Sequence, residues 1–387
     1  MRLDAMLETG EFTLKAASCP EEVREAWLAL QGGGHCTLFT SYEWLSSWYR
    51  FVARARGIEA LIVVGRIDEE PIFLLPLMIT RRAGGLLTVG RFLGDCHGNQ
   101  NSGLWRCDVL AGINGRSVRE ALVALGRKHG IDLFDLKYIP ATLVERAHPL
   151  VGACAIESLN CVHTFPITGD FDTVYRTRRS ASARKKLRAK ERKLAEVGRV
   201  DFVQARDAET AHRFLDALIA QRSAREATQG IPNVFRSDDL QAFLRDQLDT
   251  ALAAGSERMM IYALTVDDRI CATYLCGLRF GRFHAYTNSI DEAFATFSPG
   301  DLLLSRVIED ACVRGAEVFD FGLGAERYKT AWADKETLMD VEIPVSLLGL
   351  GARTGVQRIR RTKRTIRNSP LLWSLVRRLR RLTAPAA

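Results

Sequence analysis

Apolar and polar positions along this chain follow two alternating periods, and the change between them is sharpest from Ser298 to Trp332. Leu303, Val307 and Ala311 recur at i+4, with Leu304, Ile308 and Cys312 in the next row, which gives the broad apolar face of a helix over 299–314. Ser298 is placed to cap it, Pro299 suits the first helical position, and Asp301 stands three residues after the cap in capping-box spacing. Gly315 allows the left-handed conformation that ends a helix. Ala316–Phe321 is then a short apolar run of strand type, so the helix is expected to pack on a sheet. Gly322 and Gly324 open a turn at the strand's C-terminal end, and Tyr328, Lys329 and Trp332 begin a second helix. In open α/β sheets that edge is where ligands bind, and the free N–H groups at the start of the 299–314 helix can hold an anion.

The same order of elements occurs earlier. Residues 20–31 predict a short helix ending at Gly32–Gly34, and Ser41 caps a second with Trp44, Leu45, Trp48 and Phe51 at helical spacing. Ala60–Ile67 and Pro71–Ile79 read as strands around the acidic turn at 68–70. Arg116–His129 reads as a helix stopped by Gly130, and Ile131–Leu136 as a strand. In the second half, FRSDDLQAFL at 235–244 answers FTSYEWLSSW at 39–48. Met259–Val266, the turn Asp267–Asp268 and Ile270–Arg279 answer the strand pair, and Arg282–Ile290 adds a strand. Helix–Gly315–AEVFDF answers helix–Gly130–IDLFDL. Three matches in one order predict an ancestral duplication and two domains, as a length of 387 residues also suggests.

Composition narrows the classes. With 47% hydrophobic residues the chain is globular. Its start, MRLDAMLETGEF, is acidic and mixed, unlike a signal peptide, and no apolar run approaches the roughly 18 residues of a membrane helix. The nine cysteines form no CxxC, and Cys271 and Cys276 suggest no zinc site, so reduced core thiols in a cytoplasmic protein are expected. The formal net charge of +8 is unevenly placed. Arg353–Ala387 carries eleven bases and no acid, and 176–199 carries eleven bases and two acids; without both segments the body is at −12. That pattern argues against a generally nucleic-acid-coating protein and for local anionic contacts. No aromatic residue interleaves the basic helix after Tyr175, so single-strand stacking is not expected. A solvated helix face, an acidic acyl carrier protein and tRNA phosphates all fit the 176–199 run. SPLLWSLVRRLRRL at 369–382 reads as an amphipathic helix too short to span a bilayer. It suits an anionic membrane surface, or the protein's own acidic body.

The basic SARKKLRAKERKLAEVG, the SPG before the 299–314 helix and FDFGLGAERYK at 319–329 resemble the GNAT-fold acyltransferases. SYEWLSSWY and PLMITRR…RFLG in the first half extend the resemblance to roughly residues 35–345. The branch it resembles contains the CelD-type cellulose-biosynthesis acetyltransferases and is related to the Fem-type aminoacyl transferases, which carry tandem GNAT domains. The resemblance implies an α/β (α+β) fold of tandem GNAT-like domains, with mixed, largely antiparallel sheets flanked by helices. The expected division is a degenerate GNAT-like domain at 1–165, an acyltransferase domain at 166–350 and a basic amphipathic tail at 351–387. The implied activity is transfer of an acyl group, acetyl by preference, from a thioester to an amine or hydroxyl, in envelope or exopolysaccharide biosynthesis. The implied setting is cytoplasmic, peripheral at the inner face of the membrane through Arg353–Ala387. The co-substrate is acetyl-CoA or another acyl-CoA, and the acceptor a small molecule or glycan. One departure leaves the donor open. The loop ATFSPGDL has one glycine and neither Arg nor Gln, where GNAT enzymes cradle the donor pyrophosphate with a (Q/R)xxGx(G/A) loop. An acyl carrier protein or a charged tRNA therefore stays open as donor, and so do a Fem-type aminoacyl transferase and a catalytically degenerate scaffold at the membrane.

Each candidate residue has a chemical and a structural role to be decided. Ser298, Pro299, Gly300 and Asp301 form the donor loop or a plain helix cap. Tyr328 reprotonates the leaving thiolate, as GNAT folds place a tyrosine on this helix, or packs half-buried. Asp320 faces the cleft as a catalytic carboxylate or is structural like its counterpart Asp135. His284, on a strand with Tyr286, is a base or a buried, satisfied histidine. Lys329 contacts a phosphate or carboxylate, or solvent, and Gly322 and Gly324 admit substrate to the turn. Asp95 and His97 are further substrate-contact candidates; with no third ligand at sensible spacing, no metal is expected.

Overall fold

Runs of Val, Ile and Leu that are buried on both faces build the sheets of this protein, and the acidic turns between them set the register. The computed structural model describes residues 12–94, 97–324 and 326–369, so Asp95 and residues 370–382 of the amphipathic segment lie outside the described residues. The chain divides into two compact units, residues 1–161 with 337–365 and residues 162–336 with 366–387. The boundary at 161 is close to the expected 165, but 337–350, expected in the second domain, belongs with the first unit.

The first unit begins with β1 (Thr13–Ala17), α1 (Arg24–Gly33), β2 (Gly34–His35) and α2 (Tyr42–Trp48). Ser41 caps α2 by accepting from the Trp44 N–H. β3 (Glu59–Ile67) and β4 (Glu70–Arg82) follow as a hairpin. Its turn residues Asp68 and Glu69 both have positive φ, 46° and 65°, as a tight hairpin turn matched to strand twist requires. β5 (Leu87–Phe92) pairs with β4, and β6 (Leu104–Arg106) pairs with β2 and β4. α3 (Gly115–Lys128) is capped by Asn114 and stopped before Gly130, at φ 63°. β7 (Leu133–Pro140) then lies parallel to β5. β8 (Thr142–Leu143) and β9 (Arg146–Ala147) form a small separate hairpin. The core gathers Val63, Phe73, Leu75, Trp105, Leu122, Phe134 and Leu136.

Buried in this unit, His148 accepts from the Leu150 N–H at Nδ1 (3.1 Å) and lies 3.2 Å from the Ser102 carbonyl at Nε2. One nitrogen accepting and the other donating fixes the neutral imidazole. Burial pushes its pKa from 6.5 down to about 3. His284 in the second unit is also lowered by burial, against the pull of Asp320. A depressed histidine contributes stability above its unfolded pKa and loses it as pH falls toward the folded value. The melting temperature should therefore fall steadily on acidification below about pH 6.5, with His148 alone removing about 2–3 kcal/mol by about pH 4.5. Melting curves in matched ionic strength check this, and a profile flat to pH 4.5 would refute it.

The second unit starts within β10 (Ala155–Pro166) and continues through α4 (Phe171–Arg178), the basic α5 (Ala181–Ala195) and β11 (Val200–Gln204). α6 (Ala208–Gln229) and α7 (Asp238–Ala253) follow, then β12 (Met260–Val266), β13 (Arg269–Arg279) and β14 (Arg282–Ile290). α8 (Pro299–Val313), β15 (Val318–Leu323) and the four-residue α9 (Arg327–Thr330) complete it. The sheet order is β10–β15–β14–β13–β12–β11. All neighbours are antiparallel except β14 and β15. Met260, Tyr262 and Leu264 point to one face, where Leu303, Leu304, Val307, Ile308 and Ala311 of α8 cover them. α6 packs on β12–β14 and on α7. Leu187 and Leu194 anchor α5 to the core, leaving Lys185, Lys186, Arg188, Arg192 and Lys193 exposed.

Both units repeat the hairpin closely. Asp267 and Asp268 have φ of 46° and 68°, like Asp68 and Glu69. In each hairpin the register slips at the same place: Ile72 and Cys271, both three residues past the turn's second acid, are skipped by the opposite strand. Gly315 (φ 69°) stops α8 as Gly130 stops α3, and each helix delivers a strand parallel to the third strand of the meander.

β16 (Asp334–Pro344) pairs with β7 from Leu338 to Pro344, and α10 (Leu347–Asn368) follows. Arg360 of α10 pairs with Asp340 and, at 3.5 Å, with Glu342; Arg353 stands 3.9 Å from Glu342. The first part of the basic tail thus docks on two buried acids of its own unit. No helix among the described residues is long and apolar enough to cross a membrane.

Candidate active site

β14 and β15 are paired only at Arg282–Val318, Phe283–Phe319 and His284–Asp320. Both strands run on, to Ile290 and Leu323, without pairing further with each other. The sheet is therefore open at the C-terminal ends of two parallel strands, where backbone N–H and C=O groups facing the gap have no strand partner. On its other side β14 carries a bulge: Ala285 faces Cys276, Thr287 faces Leu275, and Tyr286 between them has no opposite residue. Such a bulge bends a strand and re-aims its side chains.

The last ladder pair closes the base of this opening. Asp320 is fully buried, accepts from the Gly322 N–H at 2.7 Å and from Arg282 Nη1 at 3.3 Å, and lies 3.6 Å from His284 Nδ1. Burial raises the Asp320 carboxyl, but His284, Arg282 and the Gly322 amide together outweigh it and hold the pKa below the usual value. With 0% and 1% exposure, Asp320 and His284 have no surface on which to meet a substrate. They brace the point where the strands part. Arg91 and Asp135 hold the corresponding positions in the first unit, 3.9 Å apart.

The turn after β15 brings Tyr328 over the opening. Gly322 and Gly324, at φ 69° and 124°, reverse the chain, and a side chain at 324 would strike the Glu326 carboxylate. Lys329 is buried, with Nζ donating to the Leu323 carbonyl at 2.5 Å and pairing with Glu326 at 3.1 Å. It is neither solvated nor free for a phosphate; it ties the turn shut. Tyr328 hydrogen-bonds with Tyr274 of β13 and Asn288 of β14, and packs edge-on to Phe321. Burial pushes its pKa up to about 12, so it is a protonated donor at neutral pH.

The start of α8 differs from the expected cap. Pro299 does occupy the first turn, but Ser298 is left-handed (φ 54°) and its side chain caps nothing. Its Oγ instead accepts from Lys190 Nζ of α5. The Asp301 carboxyl, raised by burial, feels the cations of Arg179 and Lys190. Two bases of the preceding basic run, Arg179 and Lys190, thus stand beside a loop that has no Arg or Gln of its own. Gly300 stays narrow because a Cβ there would come within 3.1 Å of Ile290. His97 belongs to the first unit, where its Nδ1 accepts from the Trp48 indole at 3.2 Å. It lines a cavity of about 410 Å³ with Arg56, Arg81, Arg82 and Arg91. No cluster of three metal-ligating side chains occurs among the described residues.

Residues the sequence did not single out surround the opening. Arg222 of α6 donates through Nη1 to Thr287 Oγ1 and to the Asn288 carbonyl, both at 3.1 Å. Gln221 beside it accepts from Ser289 and donates to the Ile270 carbonyl.

Residues 181–330 match a family model described as an acetyltransferase (GNAT) domain. The fold is that of tandem GNAT-like domains. A FemX structure is 11% identical with a TM-score of 0.53, covering 86% of this chain and 96% of its own. A conserved protein of unknown function from Bacteroides thetaiotaomicron is 11% identical with a TM-score of 0.52, over 86% and 99%. L-PGS from Bacillus licheniformis is 14% identical with a TM-score of 0.50, over 87% and 95%. No curated protein matches the chain. The domain match supports a transferase, and it covers the opening between β14 and β15, the α8 turn and Tyr328.

Proposed function

We propose that the second unit transfers an acyl group, acetyl by preference, from a thioester to an amine or hydroxyl at the gap between β14 and β15. The observation that carries this is the parting of two parallel strands directly beneath the Tyr328 hydroxyl network. Backbone N–H groups past His284, beyond the last β14–β15 pair, supply donors for the thioester oxygen as charge develops on it. The acceptor attacks the carbonyl carbon, a C–N or C–O bond forms, and the C–S bond breaks. Tyr328 gives its proton to the departing thiolate and is restored by the proton the acceptor loses. Asp320 and His284 hold the geometry and take no part in proton transfer.

The co-substrate is an acyl-CoA, its phosphates held by Arg179, Lys190 and the amides at Ser298–Gly300. Affinity with the CelD-type branch, and with it a setting in envelope or exopolysaccharide biosynthesis, belongs to this proposal through the SPG and FDFGLGAERYK motifs. So does attachment to an anionic membrane surface through the arginine-rich end of the chain. One observation favours a second reading, aminoacyl transfer from a charged tRNA. Asp301 places a carboxylate at the helix end where a pyrophosphate would sit, and the outer face of α5 is an exposed row of bases. The likeness to FemX and L-PGS agrees with that alternative.

A thermal-shift titration with acetyl-CoA, longer acyl-CoAs and CoA separates the two readings. Saturating CoA ligand at about 100 times Kd should stabilise by about 2.7 kcal/mol if it binds only the folded state. Gly300→Val should lose about tenfold or more in CoA affinity while staying folded, because the added methyls fill the approach beside Ile290. An unaltered affinity in the folded variant would move the donor site elsewhere.

A further inference from the structure

Two arginines of α6 are held at this opening without an acid. The Nη1 of Arg222 is tied to Thr287 and the Asn288 carbonyl, and its Nε is buried with no hydrogen-bond partner. Its guanidinium stacks on Phe235 at 5.4 Å, and Phe235 lies edge-on to Tyr286, the bulge residue. Arg225, one turn further along α6, spends its Nε on Gln229 at 3.3 Å. Among the described residues no carboxylate makes an ion pair with either arginine. The nearby acids are engaged: Glu226 with Arg236 at 3.6 Å and Glu326 with Lys329 at 3.1 Å. Burial, then the like charge of Arg225, makes the protonated Arg222 harder to keep than an ordinary arginine. A largely buried guanidinium with no ion-pair partner is costly, and a binding partner that brings the anion reduces the cost.

We propose that Arg222, supported by Arg225, receives a carboxylate of the acceptor, so that the acceptor's amine or hydroxyl is presented beneath Tyr328. With Nη1 occupied by β14 and Nε buried, Nη2 is the nitrogen left to donate a charge-assisted hydrogen bond to a carboxylate oxygen. The aromatic pair Phe235 and Tyr286 keeps the guanidinium flat and in place. The acceptor class is therefore an amino or hydroxy acid, not a neutral amine. This rests on the acyl-transfer reading of the same opening.

The test uses the full chain and thermal-shift titrations with paired probes: short amino acids, their carboxamides, and aminoalkyl phosphates of equal length, each with and without CoA. Wild-type protein should bind at least one acid roughly tenfold or more tightly than its carboxamide, the size of lost charge-assisted hydrogen bonds. Arg222→Gln should abolish that preference, and Arg222→Lys, which keeps the charge without the fork, should restore only part of it. Both variants should keep the shift given by CoA. Equal binding of acids and carboxamides, a preference confined to phosphates, no binding of any acid, or an unchanged preference in Arg222→Gln would each overturn the assignment. An acid preference that depends on Arg222 in protein that ignores CoA would sink the CoA donor and leave the carboxylate site standing.

Discussion

Tyr328→Phe should lower turnover by about 10²- to 10⁴-fold, the range contributed by a positioned proton donor. Stability should change little. The substitution removes one hydroxyl from a network with Tyr274 and Asn288, worth about 0.5–1.5 kcal/mol. Because burial pushes Tyr328 up to about 12, its proton is present across the whole working range. The wild-type rate should therefore show no alkaline fall owed to this residue below about pH 11. Free-thiol release from an acyl-CoA, followed with the folded variant, reads both effects. Full turnover in Tyr328→Phe would take the residue out of the mechanism.

Arg360→Ala should damage the fold severely. Asp340 and Glu342 are 1% and 0% exposed, and Arg360 reaches both. Burial raises the Glu342 carboxyl despite Gln357 and Arg353, so the site is already strained for charge. Removing one partner of a buried ion pair costs about 3–5 kcal/mol, because the other charge is left without compensation. Urea denaturation measures it; a loss under about 1 kcal/mol would show that the pair is not needed. The result bears on where the tail is cut. Deletion from Arg353 removes this anchor and should destabilise the first unit, whereas deletion from Pro370 spares it. Liposome binding is best tested with the shorter deletion.

The strands and their turns were legible because the pattern was local. Asp68–Glu69 and Asp267–Asp268 fall where an alternating apolar run must reverse, and both prove to be positive-φ hairpin turns. The repeat was visible for the same reason. α6 was not read, although Asp207 caps it through Thr210 and Gly230 ends it at φ 65°. Its apolar face, with Ala211, Phe214, Leu215 and Leu218, stops halfway, and Gln221, Arg222 and Arg225 replace it where the helix meets the opening. A helix that turns polar in order to serve a site loses the stripe that would reveal it. The tie from Lys329 to the Leu323 carbonyl was not legible, because no side-chain pattern announces a main-chain partner. Ser298 looked like a cap from its neighbours, and only the placement of Lys190, more than a hundred residues earlier, turns it to another use.

The return of residues 337–365 to the first unit bears on how the protein is made. β7 is missing its antiparallel neighbour until Leu338–Pro344 has left the ribosome. At about 5–20 residues per second, the intervening unit takes roughly 10–35 s to synthesise. During that interval the nascent first unit shows an open strand edge, a template for pairing with other chains. The strands from β10 to β15, by contrast, are all made by Leu323. Vectorial synthesis should thus leave β7, made early, waiting for a partner that is made only after them.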